Sequence, residues 1–190
     1  MTIAALILAA GGGTRFHASD VDGPLHKLLA PLQGRAVVRW VIDAVVEAGF
    51  QRIYLVTGAV DLAAVVPPQV TVVPCADWAE GQSRTLQAGI AQARADGLRA
   101  VVVGLGDQPM VPAAAWRSVA SAAGEIAIAD FDGDLRPPVK LERGVWDLLP
   151  TEGDEGARPL IRTRPDLVSR IPCRGNPTDI DTAEDLARWS

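Results

Sequence analysis

Residues 3–15, Ile-Ala-Ala-Leu-Ile-Leu-Ala-Ala-Gly-Gly-Gly-Thr-Arg, constrain what this chain can fold into more than any other stretch. An apolar run of strand length reaches Leu8 and passes through Ala9 and Ala10 into Gly11, Gly12 and Gly13, followed by Thr14 and Arg15. The run is continuous rather than alternating, so it predicts a strand buried on both faces. Small residues at its end let backbone approach a ligand closely, and successive backbone N–H groups can form an anion cradle. Arg15, with Lys27 beyond a polar loop, points to phosphate. A flexible strand-to-helix loop is the plain alternative.

The remaining chain supplies partners for that strand. Val38, Val41, Ile42 and Val45 form a helical stripe within 37–48, with Gly49 placed to end it. Strands are predicted over 52–57, 70–73 and 100–105, and a short helix over 61–66 stopped by Pro67 and Pro68. Residues 82–95 read as a helix, with Leu86, Ile90 and Ala93 on one face; 112–123 reads as a helix with Pro112 in its first turn. Strand and helix thus alternate with short connections, which predicts a parallel sheet covered by helices on both faces. Ligands bind such sheets outside the carboxyl ends of the strands, so the loops after Leu8 and after Leu105 can share one site. The remainder is less regular: short strands over 125–129, 138–141 and 167–172, and helices over 144–149, 155–162 and 182–189, the last capped by Thr182 with Asp185 three residues on.

At 190 residues the chain is expected to form one domain. A formal net charge of −5 argues against a nucleic-acid polymer as partner. No apolar run approaches membrane-spanning length, and Cys75 and Cys173 show neither metal-ligand spacing nor a disulfide framework. A soluble protein of the cytoplasm, with no membrane partner, is the expectation. The chain has two lysines, Lys27 and Lys140, against sixteen arginines. Arginine serves for general charge, so a lysine kept near a glycine loop is suited to a specific task at phosphate oxygens.

Two known glycine signatures fail here. A dinucleotide fingerprint needs a third glycine where Phe16 stands and an acid where Leu29–Arg35 has none. A Walker loop needs Gly-Lys-Ser/Thr, but Lys27 lies between His26 and Leu28. In Gly106-Asp107-Gln108-Pro109, an aspartate directly follows a buried strand, a place where carboxylates hold Mg²⁺ on substrate phosphates; a turn-forming role is the alternative. Asp179 and Asp181 flank Ile180 and, if extended, share a face, although a solvated turn gives the same pattern. Glu80-Gly81-Gln82-Ser83 opens a helix, as a ligand subsite or through simple capping by Ser83. Residues Gly153–Arg158 also begin a helix and can serve a second, anionic ligand. His17 and His26 read as surface residues of the glycine loop. Trp40, Trp116, Trp146 and Trp189 fall on helical patterns and read as core or near-core, whereas Trp78 sits in an irregular loop open to a ligand.

Taken together, Leu8–Arg15, Lys27 leading into Leu28–Leu32, Gly106–Pro109 and Asp179–Leu186 are similar, in order and spacing, to the MobA-like nucleotidyltransferases. The branch this chain most resembles is the molybdenum cofactor cytidylyltransferases, whose members also tend to carry the segment seen here as Gly153–Arg158. The resemblance implies a Rossmann-like three-layer α/β/α sandwich with a mostly parallel sheet, of nucleotide-diphospho-sugar transferase type. It implies transfer of a nucleoside monophosphate to a phosphorylated small-molecule acceptor, molybdopterin in this branch, with release of pyrophosphate. It places the nucleoside triphosphate along Leu8, Ala9, Ala10, Gly11, Gly12, Gly13 and Thr14, with Glu80, Gln82 and Ser83 near the base. It gives Arg15 and Lys27 the neutralising of phosphate charge, and Asp107 and Asp181 the binding of Mg²⁺. Ala10 resembles the cytidylyl pattern, where the guanylyl branch tends to have glycine, and so favours CTP. Two stretches differ from the branch. The path from Arg15 to Lys27 is longer, by residues including Asp20, Asp22 and Pro24, and reads as a lid or a changed acceptor. Arg136-Pro137-Pro138 stands where the branch usually has Gly-His-Pro, near the acceptor pocket.

Overall fold

A computed structural model describes residues 2–19 and 26–189. The lid expected over 16–26 falls largely outside the described residues. In chain order the elements begin with β1 (Ile3–Ala9), α1 (Thr14–Ser19), β2 (Pro31–Leu32), β3 (Arg35–Ala36) and α2 (Val37–Glu47). There follow β4 (Ile53–Thr57), β5 (Thr71–Pro74), α3 (Gln82–Ala95), β6 (Ala100–Leu105) and α4 (Ala113–Ser121). The chain continues through β7 (Ile126–Phe131), β8 (Asp134–Glu142), α5 (Arg158–Thr163), β9 (Val168–Pro172) and α6 (Ala183–Ala187).

Seven strands form one sheet in the order β5-β4-β1-β6-β8-β7-β9. All run parallel except β8, which is antiparallel to both β6 and β7. β1 lies in the interior of the sheet between β4 and β6, with Ala5 opposite Ile53 on β4 and opposite Val102 on β6. Successive side chains of a strand point to opposite faces. Ala4, Leu6 and Leu8 therefore join one core with Leu86, Ile90 and Ala93 of α3. Ala5, Ile7 and Ala9 join the other, with Val38, Val41, Ile42 and Val45 of α2 and Trp116 and Val119 of α4. The result is a three-layer α/β/α sandwich around a mostly parallel sheet, and the continuous apolar run of β1 is what a strand serving two cores requires. Close packing is set by glycine: a Cβ on Gly89 would strike Leu6, and one on Gly104 would strike the Trp116 indole. Trp116 and Trp146 are fully buried.

Several elements differ from the expectation. Pro112 is the extended residue ahead of α4 rather than a member of its first turn. The helices expected over 61–66 and 144–149 are 3₁₀ segments, one turn at Ala63–Val65 and two turns at Arg143–Leu148. The glycine loop contains α1, and Lys27–Leu29 form a 3₁₀ turn. β2 and β3 make a minimal hairpin whose two turn residues, Gln33 and Gly34, both have positive φ (50° and 79°), the geometry that matches strand twist. Its Leu32 packs with Phe16, Val37 and Ile180 in a third cluster, which seats the 177–181 segment against α1 and the hairpin. No helix among the described residues is long and apolar enough to cross a membrane.

Candidate active site

The strand order reverses between β1 and β6, and a cavity of about 530 Å³ opens above their carboxyl ends. That is the topological switch point, where sheets of this type hold ligands. Leu8 through Arg15 form one wall; Lys27, Asp107, Asp179 and Asp181 form the floor; Trp78, Gln82, Thr85, Asp154 and Arg158 stand on the α3 side. The glycine loop is fixed from both sides. Gly106 N–H donates to Leu8 O (2.9 Å), and Ala59 N–H donates to Ala10 O (3.0 Å). Gly58 must be glycine, since a Cβ there would lie 2.6 Å from Trp78 and 2.8 Å from Ala10 O.

Charge converges on Lys27. Its ammonium donates to Asp107 Oδ2 (2.6 Å) and to Asp181 Oδ1 (2.7 Å), contacts spanning 80 and 154 residues of sequence. Arg15 Nη1 meets the other Asp181 oxygen at 2.8 Å. Burial opposes the Lys27 charge, but the charge and hydrogen bond of Asp107, with that of Asp181, outweigh it and hold its pKa above the ordinary lysine value. Asp107 Oδ1 is buried without a partner, an oxygen left available to a further cation. Ile180 N–H donates to Asp107 O (2.9 Å), which locks the 177–181 segment onto the end of β6. With Ile180 buried in the third cluster, Asp179 and Asp181 both face the cavity, as extended alternation requires. Gln108, itself buried, donates to Pro177 O (2.8 Å) and Asp179 Oδ1 (2.7 Å). Burial, then repulsion from Asp107, raises the Asp179 pKa despite that bond and the nearby Arg136.

The α3 wall departs partly from expectation. Gln82 lines the cavity, but Glu80 does not: its carboxylate accepts from Arg84 Nε (2.8 Å) on the exposed side of the helix start. Ser83 lies behind the wall, its hydroxyl buried and unpaired, its N–H donating to Gly153 O (2.9 Å). Gly81 (φ 116°) permits this docking, since a Cβ there would sit 2.6 Å from Gly153 O. The 153–158 segment is thereby held against α3, with Asp154 and Arg158 on the cavity. Trp78 lines it as well. Arg136 stands one contact behind, with Nη1 3.5 Å from Asp179 Oδ2.

Sequence reasoning missed three residues here. Thr85 follows Gln82 by one helical turn, so the i, i+3 rule could have found it. Gln108 was visible only as part of a motif. His26, read as a surface residue, is in fact 5% exposed. Nothing in its local sequence signals that burial.

The pattern of the MobA-like NTP transferase domain matches residues 5–168. A nicotine blue oxidoreductase of Paenarthrobacter nicotinovorans is 30% identical, over 98% of this chain and 95% of its own. Among solved structures, a nucleotidyl transferase from Methanothermobacter superposes with a TM-score of 0.82 at 25% identity, covering 98% of this chain and 95% of that one. Rv0371C of Mycobacterium tuberculosis, in complex with manganese, superposes with a TM-score of 0.75 at 26% identity, covering 100% and 98%. A glycine-lined cavity at the switch point, closed below by a lysine between two aspartates, thus sits on a fold and a sequence pattern that agree, and the chain belongs to the MobA-like NTP transferase family of nucleotidyltransferases.

Proposed function

We propose that the protein transfers CMP from CTP to a phosphorylated small-molecule acceptor, of the molybdopterin type, and releases pyrophosphate. The observation that carries this reading is Lys27 held between Asp107 and Asp181 at the mouth of the glycine loop. In phosphoryl-type transfer an acceptor phosphate oxygen attacks the α-phosphorus in line with the departing pyrophosphate, and catalysis is mostly positioning and charge neutralisation. The N–H groups of the glycine loop orient the triphosphate. Lys27 and Arg15 offset charge growing on the leaving group, and Asp107 and Asp181 hold both cations in reach. No side-chain nucleophile is required.

The donor set suits Mg²⁺ or Mn²⁺. Asp107 Oδ1 is unpartnered, and Asp107 Oδ2 and Asp181 Oδ1 already converge on one cation. Among the described residues no group of three or more His, Cys, Asp or Glu stands ready to hold a metal alone. Asp107 and Asp181 would hold such an ion together with waters and substrate phosphates. When bound, such an ion supplies Lewis-acid neutralisation of the phosphates.

Ala10 supports CTP, and the 153–158 segment supports the molybdopterin-type acceptor. The test is pyrophosphate release from CTP and from GTP against a panel of phosphorylated acceptors that includes molybdopterin. CTP with molybdopterin is expected to give the highest kcat/KM; release from neither nucleotide with any acceptor refutes the proposal. A second reading, a redox enzyme on this fold, is favoured by the Paenarthrobacter relative. Turnover of nicotine blue with a reduced dinucleotide, without pyrophosphate release, would select it. The proposed setting is a single domain of the cytoplasm.

A further inference from the structure

His26 is a buried polar side chain that the reaction above does not use. Its Nδ1 accepts from Leu28 N–H (3.2 Å), which leaves the proton on Nε2. Nε2–H therefore donates to Gly11 O, at 2.8 Å. Burial, the leading influence, lowers the pKa of the ring and favours this neutral form. The ring also lies against Gly13, where φ is +62° and a Cβ would come within 3.1 Å of Nε2. His26 thus bonds the glycine loop with one nitrogen and the 3₁₀ turn carrying Lys27 with the other.

The bond to Gly11 fixes more than one atom. In a trans peptide the C=O and the following N–H point in opposite directions. Gly11 and Gly12 line the cavity, and His26 does not. With the Gly11 carbonyl turned to His26, its repulsive oxygen is kept off the anion side and the Gly12 N–H is aimed there. Among the described residues the Gly12 N–H has no protein acceptor.

We infer that His26 is a positioning residue that orients the Gly11–Gly12 peptide so that the Gly12 N–H binds a phosphate oxygen of the nucleotide. The inference rests on reading the cavity as a triphosphate site. The test uses ¹⁵N-labelled full-length protein titrated with inorganic pyrophosphate and separately with Mg²⁺-CTP. His26→Gln places an amide N–H where Nε2 is, whereas His26→Asn cannot reach Gly11. In wild type and His26→Gln the Gly12 amide proton is expected to move downfield on adding pyrophosphate. In His26→Asn that shift is lost and pyrophosphate binds roughly tenfold or more weakly, the effect of one hydrogen bond to a charged group. A Gly12 amide that stays put in wild type overturns the inference, as does His26→Gln binding as weakly as His26→Asn. A Gly12 shift with pyrophosphate, but no pyrophosphate release from CTP with any acceptor, keeps this inference and removes the proposed function.

Discussion

Removing the Lys27 ammonium tests both the electrostatics and the chemistry of the site. Lys27→Met keeps the length of the side chain and leaves Asp107 and Asp181 facing one another. The lysine side chain is 13% exposed, the aspartates 18% and 25%. Breaking a fully buried pair by deleting one partner costs about 3–5 kcal/mol. Here water reaches both carboxylates, and Arg15 still meets Asp181 at 2.8 Å, so the expected loss is lower, about 2–3 kcal/mol. For a chain of this size that lowers Tm by roughly 5–10 °C. The loss should be repairable. A divalent ion relieves the same repulsion, and Mn²⁺ at about a hundred times its Kd adds about 2.7 kcal/mol, enough to recover most of it. Turnover will not recover, because Lys27 is assigned to charge that grows only in the transition state: kcat should fall about 10²–10³-fold with acceptor KM nearly unchanged. Thermal melts with and without Mn²⁺, alongside pyrophosphate release, read all three effects. A variant that melts and turns over like wild type refutes the reasoning.

Asp107→Asn removes the charge and keeps the shape; pyrophosphate release should fall about 10²-fold or more and calorimetric Mn²⁺ affinity should drop, and wild-type-like turnover would remove Asp107 from the mechanism. Ala10→Gly should raise the GTP-to-CTP ratio of kcat/KM about tenfold, the scale of one methyl in a base pocket, and an unchanged ratio would take base choice away from this residue. Gly104→Ala pushes a methyl into the buried Trp116 indole and should cost about 1–3 kcal/mol by denaturant melts, with a wild-type midpoint counting against the tight packing described. Burial, then the Asp96 carboxylate it bonds, push the Tyr54 hydroxyl up from 10.0 to about 12. Across that window the unfolded chain releases a proton that the native state keeps, so stability falls as pH rises, by roughly 1 kcal/mol per unit at most, and Tyr54→Phe should flatten the decline.

The fold was legible where one local signal decided the outcome. β1 could be read because a strand serving two cores must be apolar at every position, and α2 because its stripe has the helical period. The β2–β3 hairpin was not legible: with two residues per strand there is no period to detect, and its Gln33-Gly34 turn depends on a positive φ that glutamine does not advertise. Pro112 shows the same limit on a smaller scale, since proline serves equally well just before a helix and just inside one.

The site divides along a similar line. Gly11–Gly13 and Asp107 stand at strand ends, so alternation of elements alone places them together. What alternation cannot supply is the pairing between them. Lys27 can reach two aspartates only because the Phe16, Leu32, Val37 and Ile180 cluster seats the 177–181 segment against α1 and the hairpin, and because Ile180 N–H bonds Asp107 O. His26 departs from the expected surface position for a related reason. A histidine in a polar loop is exposed by default, and only the packing of its ring against Gly13 buries it and gives both nitrogens partners. Glu80 erred in the other direction: at a helix start its nearest cation is Arg84, one turn on, and that local pair turns it away from the cavity. Residues whose roles follow from strand ends are therefore readable in the sequence, whereas those fixed by a partner's position become readable only once tertiary packing has chosen the partner.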